Sequence, residues 1–119
     1  MNTIERNGLT VAVIDKAVAI KGTPDILDLM AALRYQSDCM GMIVYKESLG
    51  EDFFDLKTRV AGDVLQKFSN YRFKLAIVGD FSAYTSKSLK DFIYECNMGN
   101  LVFFKESIEQ ALTALTSQP

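Results

Sequence analysis

The sequence predicts an α/β domain whose five-strand, mostly parallel mixed sheet and four helices follow in the order β-β-α-β-α-β-α-β-α. Three observations carry this. Leu75-Ala76-Ile77-Val78 is an unbroken apolar run that stops at Gly79-Asp80, and strands covered by helices on both faces lose their in-out alternation and read this way. The polar turn after it leads into a helical repeat, Leu89, Phe92, Ile93 and Cys96, with apolar residues three and four apart. The same strand–turn–helix unit recurs along the chain, which implies right-handed crossovers and parallel pairing.

Taken in order, Leu9 to Ile14 is a β-type run that follows the turn residues Asn7-Gly8. Asp15-Lys16 reads as a tight turn and Ala17 to Ile20 as a second strand. The expectation is therefore an opening hairpin, with one antiparallel strand at the sheet edge. Thr23-Pro24-Asp25 suits a helix start: Thr23 as the cap, Pro24 at the first helical position, Asp25 toward the positive end of the dipole. Ile26, Leu27, Met30 and Leu33 give that helix an apolar face ending near Tyr35.

Met42 to Tyr45 is the third strand. Ser48-Leu49-Gly50-Glu51 fits the capping box, and one long helix is expected after it, from Phe53 to Phe68. Phe73 to Val78 is the fourth strand, Thr85 or Ser86 caps a third helix, and Asn97-Met98-Gly99 ends it,. Leu101 to Phe104 is a short fifth strand, and Ile108, Ala111, Leu112 and Leu115 mark a last helix.

With 119 residues, the chain is expected to form one domain, residues 1–119,. A net charge of −2 gives no electrostatic footprint for nucleic acid or an anionic membrane,. No apolar run approaches the roughly 20 residues of a spanning helix, and the first residues carry no apolar signal core. These features favour a cytoplasmic protein. Cys39 and Cys96 are far apart and read as unlinked thiols,. The chain has no histidine, which removes the commonest general base and the commonest zinc ligand. No cofactor is expected, because the glycines of a dinucleotide or triphosphate cradle are missing.

The element order resembles the STAS fold of anti-sigma-factor antagonists and the cytoplasmic domains of sulfate transporters. Phe73 to Gly79, continuing through Gly99 to Phe103-Phe104, is similar in layout to the second half of such domains. A closer resemblance is to a family of small bacterial proteins of unknown function. It rests on Glu51-Asp52-Phe53-Phe54-Asp55-Leu56, on Leu65-Gln66-Lys67-Phe68 with Asn70-Tyr71, and on Lys74 to Asp80 followed by Phe81-Ser82. Tyr84-Thr85-Ser86-Lys87-Ser88-Leu89 and Asp91-Phe92-Ile93 extend it. This second resemblance implies no activity. Phosphorylatable STAS antagonists carry Asp-Ser-Ser/Thr-Gly after the third strand, where this chain has Lys46-Glu47-Ser48-Leu49-Gly50. The aspartate and the second hydroxyl are absent, so Ser48 is expected to cap a helix rather than to accept phosphate.

Ligands of open α/β sheets sit beyond the carboxyl ends of the strands. Two loops are expected to meet there, Lys46 to Asp52 and Asp80 to Ser88. The second gathers five hydroxyls, a lysine and an aspartate. The candidate binding residues are Glu47 and Ser48 in the first loop, and Asp80, Phe81, Ser82, Tyr84, Ser86 and Lys87 in the second. The alternative is structural: hydroxyls capping a helix and carboxylates of Glu47, Glu51, Asp52 and Asp55 serving the helix dipole. The favoured reading is a non-catalytic binding domain for a protein partner or a second copy of the chain, with a small anion as a further ligand. The rival is a small enzyme with Asp80 or Glu47 as base and Lys87 as clamp.

Overall fold

The computed structural model describes residues 2–117. It contains one five-stranded sheet, with strands β1 (Asn2–Arg6), β2 (Leu9–Val13), β3 (Gly41–Tyr45), β4 (Lys74–Val78) and β5 (Val102–Lys105). The helices are α1 (Thr23–Ser37), α2 (Glu51–Phe54), α3 (Val60–Tyr71), α4 (Lys87–Met98) and α5 (Ile108–Thr116). The strands lie in sequence order across the sheet. β1 is antiparallel to β2, and every later pair is parallel. The mixed sheet and the parallel run through Ile43, Ala76 and Val102 are as the sequence predicts.

The hairpin is displaced by one strand. Its turn is Asn7-Gly8, with φ of 54° and 77°. Positive φ at both central residues is what a tight two-residue turn of type I′ requires, and Asn-Gly supplies it without a Cβ clash at the second position. Asn2 to Arg6 escapes notice in the sequence because an edge strand needs only one covered residue in two, and Ile4 alone is apolar. Ala17 to Ile20 is a loop rather than a strand. The Asp15 carboxylate accepts from the Ala17 N–H at 2.8 Å, which turns the chain out of the sheet. Only Ile20 regains a strand-like contact, a single parallel bridge to Leu49.

Sequential strand order has a consequence for the layers. Right-handed crossovers that always step the same way leave their helices on one face. α1, α3 and α4 accordingly share that face with α2. They bury Ile26, Met30, Leu33, Val64, Phe68 and Leu89 against Ala12, Met42, Val44, Leu75, Ile77 and Phe104. The other face is covered by α5, through Ala111, Leu112 and Leu115 on Val11, Ile43, Ala76 and Phe103. Arg6 ties the β1 edge to α5 through a forked pair of bonds to Glu109, 2.7 and 3.1 Å. The opposite edge is closed by Asn97. Its amide accepts from the Phe104 N–H at 2.8 Å and donates to the Phe104 carbonyl at 3.2 Å, replacing the next strand and blunting a sticky edge.

Two expected caps differ. α1 is preceded by Gly22 with no side-chain cap, and Thr23 is its first residue; Asp25 instead accepts from the Lys21 N–H at 2.8 Å. Ser48 ends a 3-10 turn, Lys46–Ser48, and α2 starts after Gly50 without a side-chain cap. The Ser48 hydroxyl is buried and donates to the Lys16 carbonyl at 3.1 Å. It pins the β2–α1 loop, so the capping box is not formed. The single long helix is also broken. Asp55 leaves helical geometry and accepts from the Lys57 N–H, and Arg59 adopts φ 65° before α3 begins. Ser86 does cap α4, accepting from the Leu89 N–H at 3.2 Å.

Candidate functional site

The carboxyl ends of β3 and β4 carry the two predicted loops, and Lys46 joins them. Its ammonium donates to the Asp80 carbonyl at 2.8 Å. It also lies over the Tyr84 ring, 4.8 Å from the centroid, and beside Phe81 at 5.9 Å. Cations are drawn to aromatic faces by the ring quadrupole, so one lysine holds the first half of the second loop, Asp80 to Tyr84, against the first loop. Gly79 allows the approach: a Cβ there would sit 2.6 Å from the Lys46 Cβ.

Below Lys46 the aromatic side chains form a stack. Tyr84 lies over Phe54 with centroids 5.2 Å apart, and Phe81 meets Phe104 edge-on at 5.4 Å. Phe54 also touches Phe53 and Phe81. Phe81 and Tyr84 are half-buried and belong to the rim of the core. A place in a polar turn predicts aromatic side chains that contribute little to the core, and the structure corrects this: hydrophobic burial draws both rings down onto Phe54. Burial, then the nearby Glu51 charge, raises the Tyr84 phenol above its ordinary range, so it stays protonated at neutral pH. Replacing both Phe81 and Tyr84 with alanine is expected to cost about 2–4 kcal/mol, less than two fully buried rings; urea denaturation followed by circular dichroism measures it. An unchanged midpoint would return both residues to the free surface.

The remaining candidate residues serve local geometry. Asp80 accepts from the Ser82 N–H at 2.9 Å, an Asx-type turn. Ser82, through its side chain and backbone, and then Lys46 hold the Asp80 carboxyl below its ordinary range. That makes Asp80 a weaker base than a free aspartate. Lys87 pairs with Asp91 one turn along α4 at 2.7 Å, and both are well exposed, a surface pair of little energetic weight. Ser86 is spent on its cap. Glu47 is exposed. Ser48 faces Lys16, so the structure brings Asp80, Phe81, Ser82 and Tyr84 together with Lys46 but turns Ser48 away.

Sequence reasoning passed over Lys46 and Phe54. A lysine immediately after an apolar strand, and a glycine at the matching exit of the next strand, were the available signals. Burial, then the adjacent Glu95, pushes the Cys96 thiol up to about 11, leaving little thiolate at neutral pH. Among the described residues no cluster of three or more His, Cys, Asp and Glu side chains forms a metal site, and no helix is long and apolar enough to cross a membrane.

The sheet, its one-sided crossovers and the aromatic stack under Lys46 define a small mixed α/β domain with a packed rim at the carboxyl edge. Residues 6–115 match DUF4180, a domain of unknown function, and the chain belongs to that family. No curated protein and no solved structure matches it.

Proposed function

We propose that the chain is a cytoplasmic, STAS-like regulatory domain that binds a partner protein over the loops following β3 and β4. The observation that carries this is the Lys46 clamp, which joins the two loops through Asp80, Phe81 and Tyr84. A surface held by a cation over stacked rings is pre-organised, and pre-organisation lowers the ordering cost of association. The two loops also expose the polar side chains of Glu47, Asp80, Ser82 and Lys87, with Ala83 exposed among them, and the rim of an interface is polar and solvent-accessible. Sequential strand order provides no point where the order reverses, the feature that opens the ligand crevice of doubly wound sheets. This favours protein contact over catalysis.

Phe81 and Tyr84 support the core, so the test uses exposed positions. Ala83→Arg combined with Glu47→Arg is expected to leave the denaturation midpoint unchanged and to abolish partner capture from native lysate. If the folded double variant retains every partner that the wild type captures, the surface is not the functional one.

A further inference from the structure

A pocket of about 250 Å³ lies between the connections that leave β2 and β3. Its floor is apolar. Ile20, Ile26, Leu49, Phe53 and Val64 line it, and each is at least nine-tenths buried. They come from five parts of the chain: the loops after β2 and β3, α1, α2 and α3. Hydrogen bonds fix the two loops against each other. Ile20 bridges to Leu49, its N–H donates to the Ser48 carbonyl at 2.8 Å, and the buried Ser48 hydroxyl holds the Lys16 carbonyl. The pocket opens beyond the carboxyl ends of neighbouring parallel strands, the end at which open α/β sheets place ligands. It needs no reversal of strand order, since both crossovers lie on one face.

The outer part of the pocket is lined by Lys21, Gly22, Gly50, Glu51 and Asp52. Lys21 belongs to the loop before α1, and Glu51 and Asp52 open α2. The two glycines put no side chain across the mouth. The Asp25 carboxylate accepts from the Lys21 N–H at 2.8 Å and fixes the backbone on that side. The only ion pairs among the described residues are Arg6–Glu109 and Lys87–Asp91, so both signs of charge at this mouth are unpaired. Volume and charge together select the occupant. Sites for drug-sized ligands span roughly 300–1,000 Å³, so this one takes a smaller molecule. The floor side chains offer no donor or acceptor, so the part that enters is apolar. The part that stays at the mouth carries both charges: an anion alone would meet two carboxylates, and a cation alone would meet Lys21. A free α-amino acid with an aliphatic side chain has this form.

We infer that this pocket binds a free aliphatic amino acid, with its side chain on the Ile26, Phe53 and Val64 floor, its carboxylate toward Lys21 and its ammonium toward Glu51 and Asp52. The Lys46 clamp lies between the connections that leave β3 and β4, on the other side of the β3 connection in the strand order. The inference therefore stands or falls separately from the partner surface proposed above.

The test is isothermal titration calorimetry of the full chain with L-leucine, L-isoleucine and L-valine. At least one is expected to bind at a single site with a micromolar Kd. The amide of the tightest binder lacks the carboxylate charge, and the corresponding deaminated acid lacks the ammonium. Each is expected to bind at least about tenfold more weakly, the worth of one hydrogen bond to a charged group. Lys21 and Asp52 are exposed, so Lys21→Glu and Asp52→Lys are expected to keep the wild-type denaturation midpoint and to weaken binding by the same factor or more. Val60→Phe narrows the pocket from the first turn of α3 and is expected to abolish binding; circular dichroism checks its fold, and the two charge variants decide should it misfold. The inference is overturned if none of the three amino acids binds at millimolar concentration. An amide or deaminated acid that binds as tightly as its parent overturns it, because the site then does not read both charges. So do folded Lys21→Glu and Asp52→Lys variants with wild-type affinity, which would place the amino acid elsewhere on the chain.

Discussion

Ile77→Ala is expected to lower the free energy of unfolding by about 2–5 kcal/mol. Ile77 has no exposed surface and sits in β4, which like β3 has parallel partners on both sides. Val44 stands beside it in β3 and Phe104 in β5. Its side chain points to the face carrying α1, α3 and α4. Helices cover it and flanking strands hold the backbone, so the site has little freedom to collapse, and the cavity adds its own cost to the lost transfer energy. Urea melts should show a lower midpoint with an unchanged slope, the mark of reduced stability without a change in exposed surface. A midpoint within error of wild type would mean that β4 is not the centre of the core.

β4 was the most legible element in the sequence, and the reason is the same burial. A strand covered on both faces cannot alternate, so Leu75 to Val78 stands out as an apolar run. β3 and β5 are read the same way. β1 was invisible because its neighbours in space are solvent and a single helix, and Ile4 is the one apolar residue that geometry demands of it. The misplaced hairpin follows: Asn7-Gly8 is a strong turn signal, but with no apolar run before it the turn looked like a strand's beginning instead of a hairpin's middle. The broken helix after β3 failed for another reason. The apolar spacing from Phe53 to Phe68 persists through Asp55 and Arg59, since both short helices bury the same face. Periodicity reports the face and is silent on a change of axis.

The candidate site was legible as a location but not as a set of roles. Strand polarity alone places the loops after β3 and β4 at one edge. Which side chains turn inward depends on packing that has no local signature. Ser48 matches a cap in spacing, yet its hydroxyl is taken by the Lys16 carbonyl, a contact between residues 32 apart. Phe81 and Tyr84 lie in a turn by pattern, yet Phe54 offers them a stacking surface. The α4 cap is legible to within Thr85 or Ser86 because it is local; the structure assigns it to Ser86, three residues from its donor.

Phe104→Ala is expected to cost about 3–5 kcal/mol and to loosen the second loop with it. Phe104 is 4% exposed and is the ring on which three others converge: Phe53 at 6.5 Å, Phe81 at 5.4 Å and Phe92 at 6.2 Å. These come from α2, the loop after β4 and α4, so one side chain in β5 supports elements from three parts of the chain. Its backbone is held independently by Asn97, and the alanine variant keeps those two bonds. The strand edge should therefore persist while the aromatic floor is lost. Phe81 would then hang over a void, and the Lys46 contact with Asp80 would lose the ring that fixes its geometry. Hydrogen exchange separates the two levels. Amides of Asp80 to Ser88 should exchange faster than global destabilisation alone requires, because loops open locally at lower free energy than the core. If global stability falls but exchange in that loop changes only in proportion, Lys46 and Phe54 hold the loop without Phe104. If stability barely changes, the aromatic cluster is not part of the core. The expected result, a large global loss with an added local one, would establish that the rim of the site and the sheet beneath it are one packed unit.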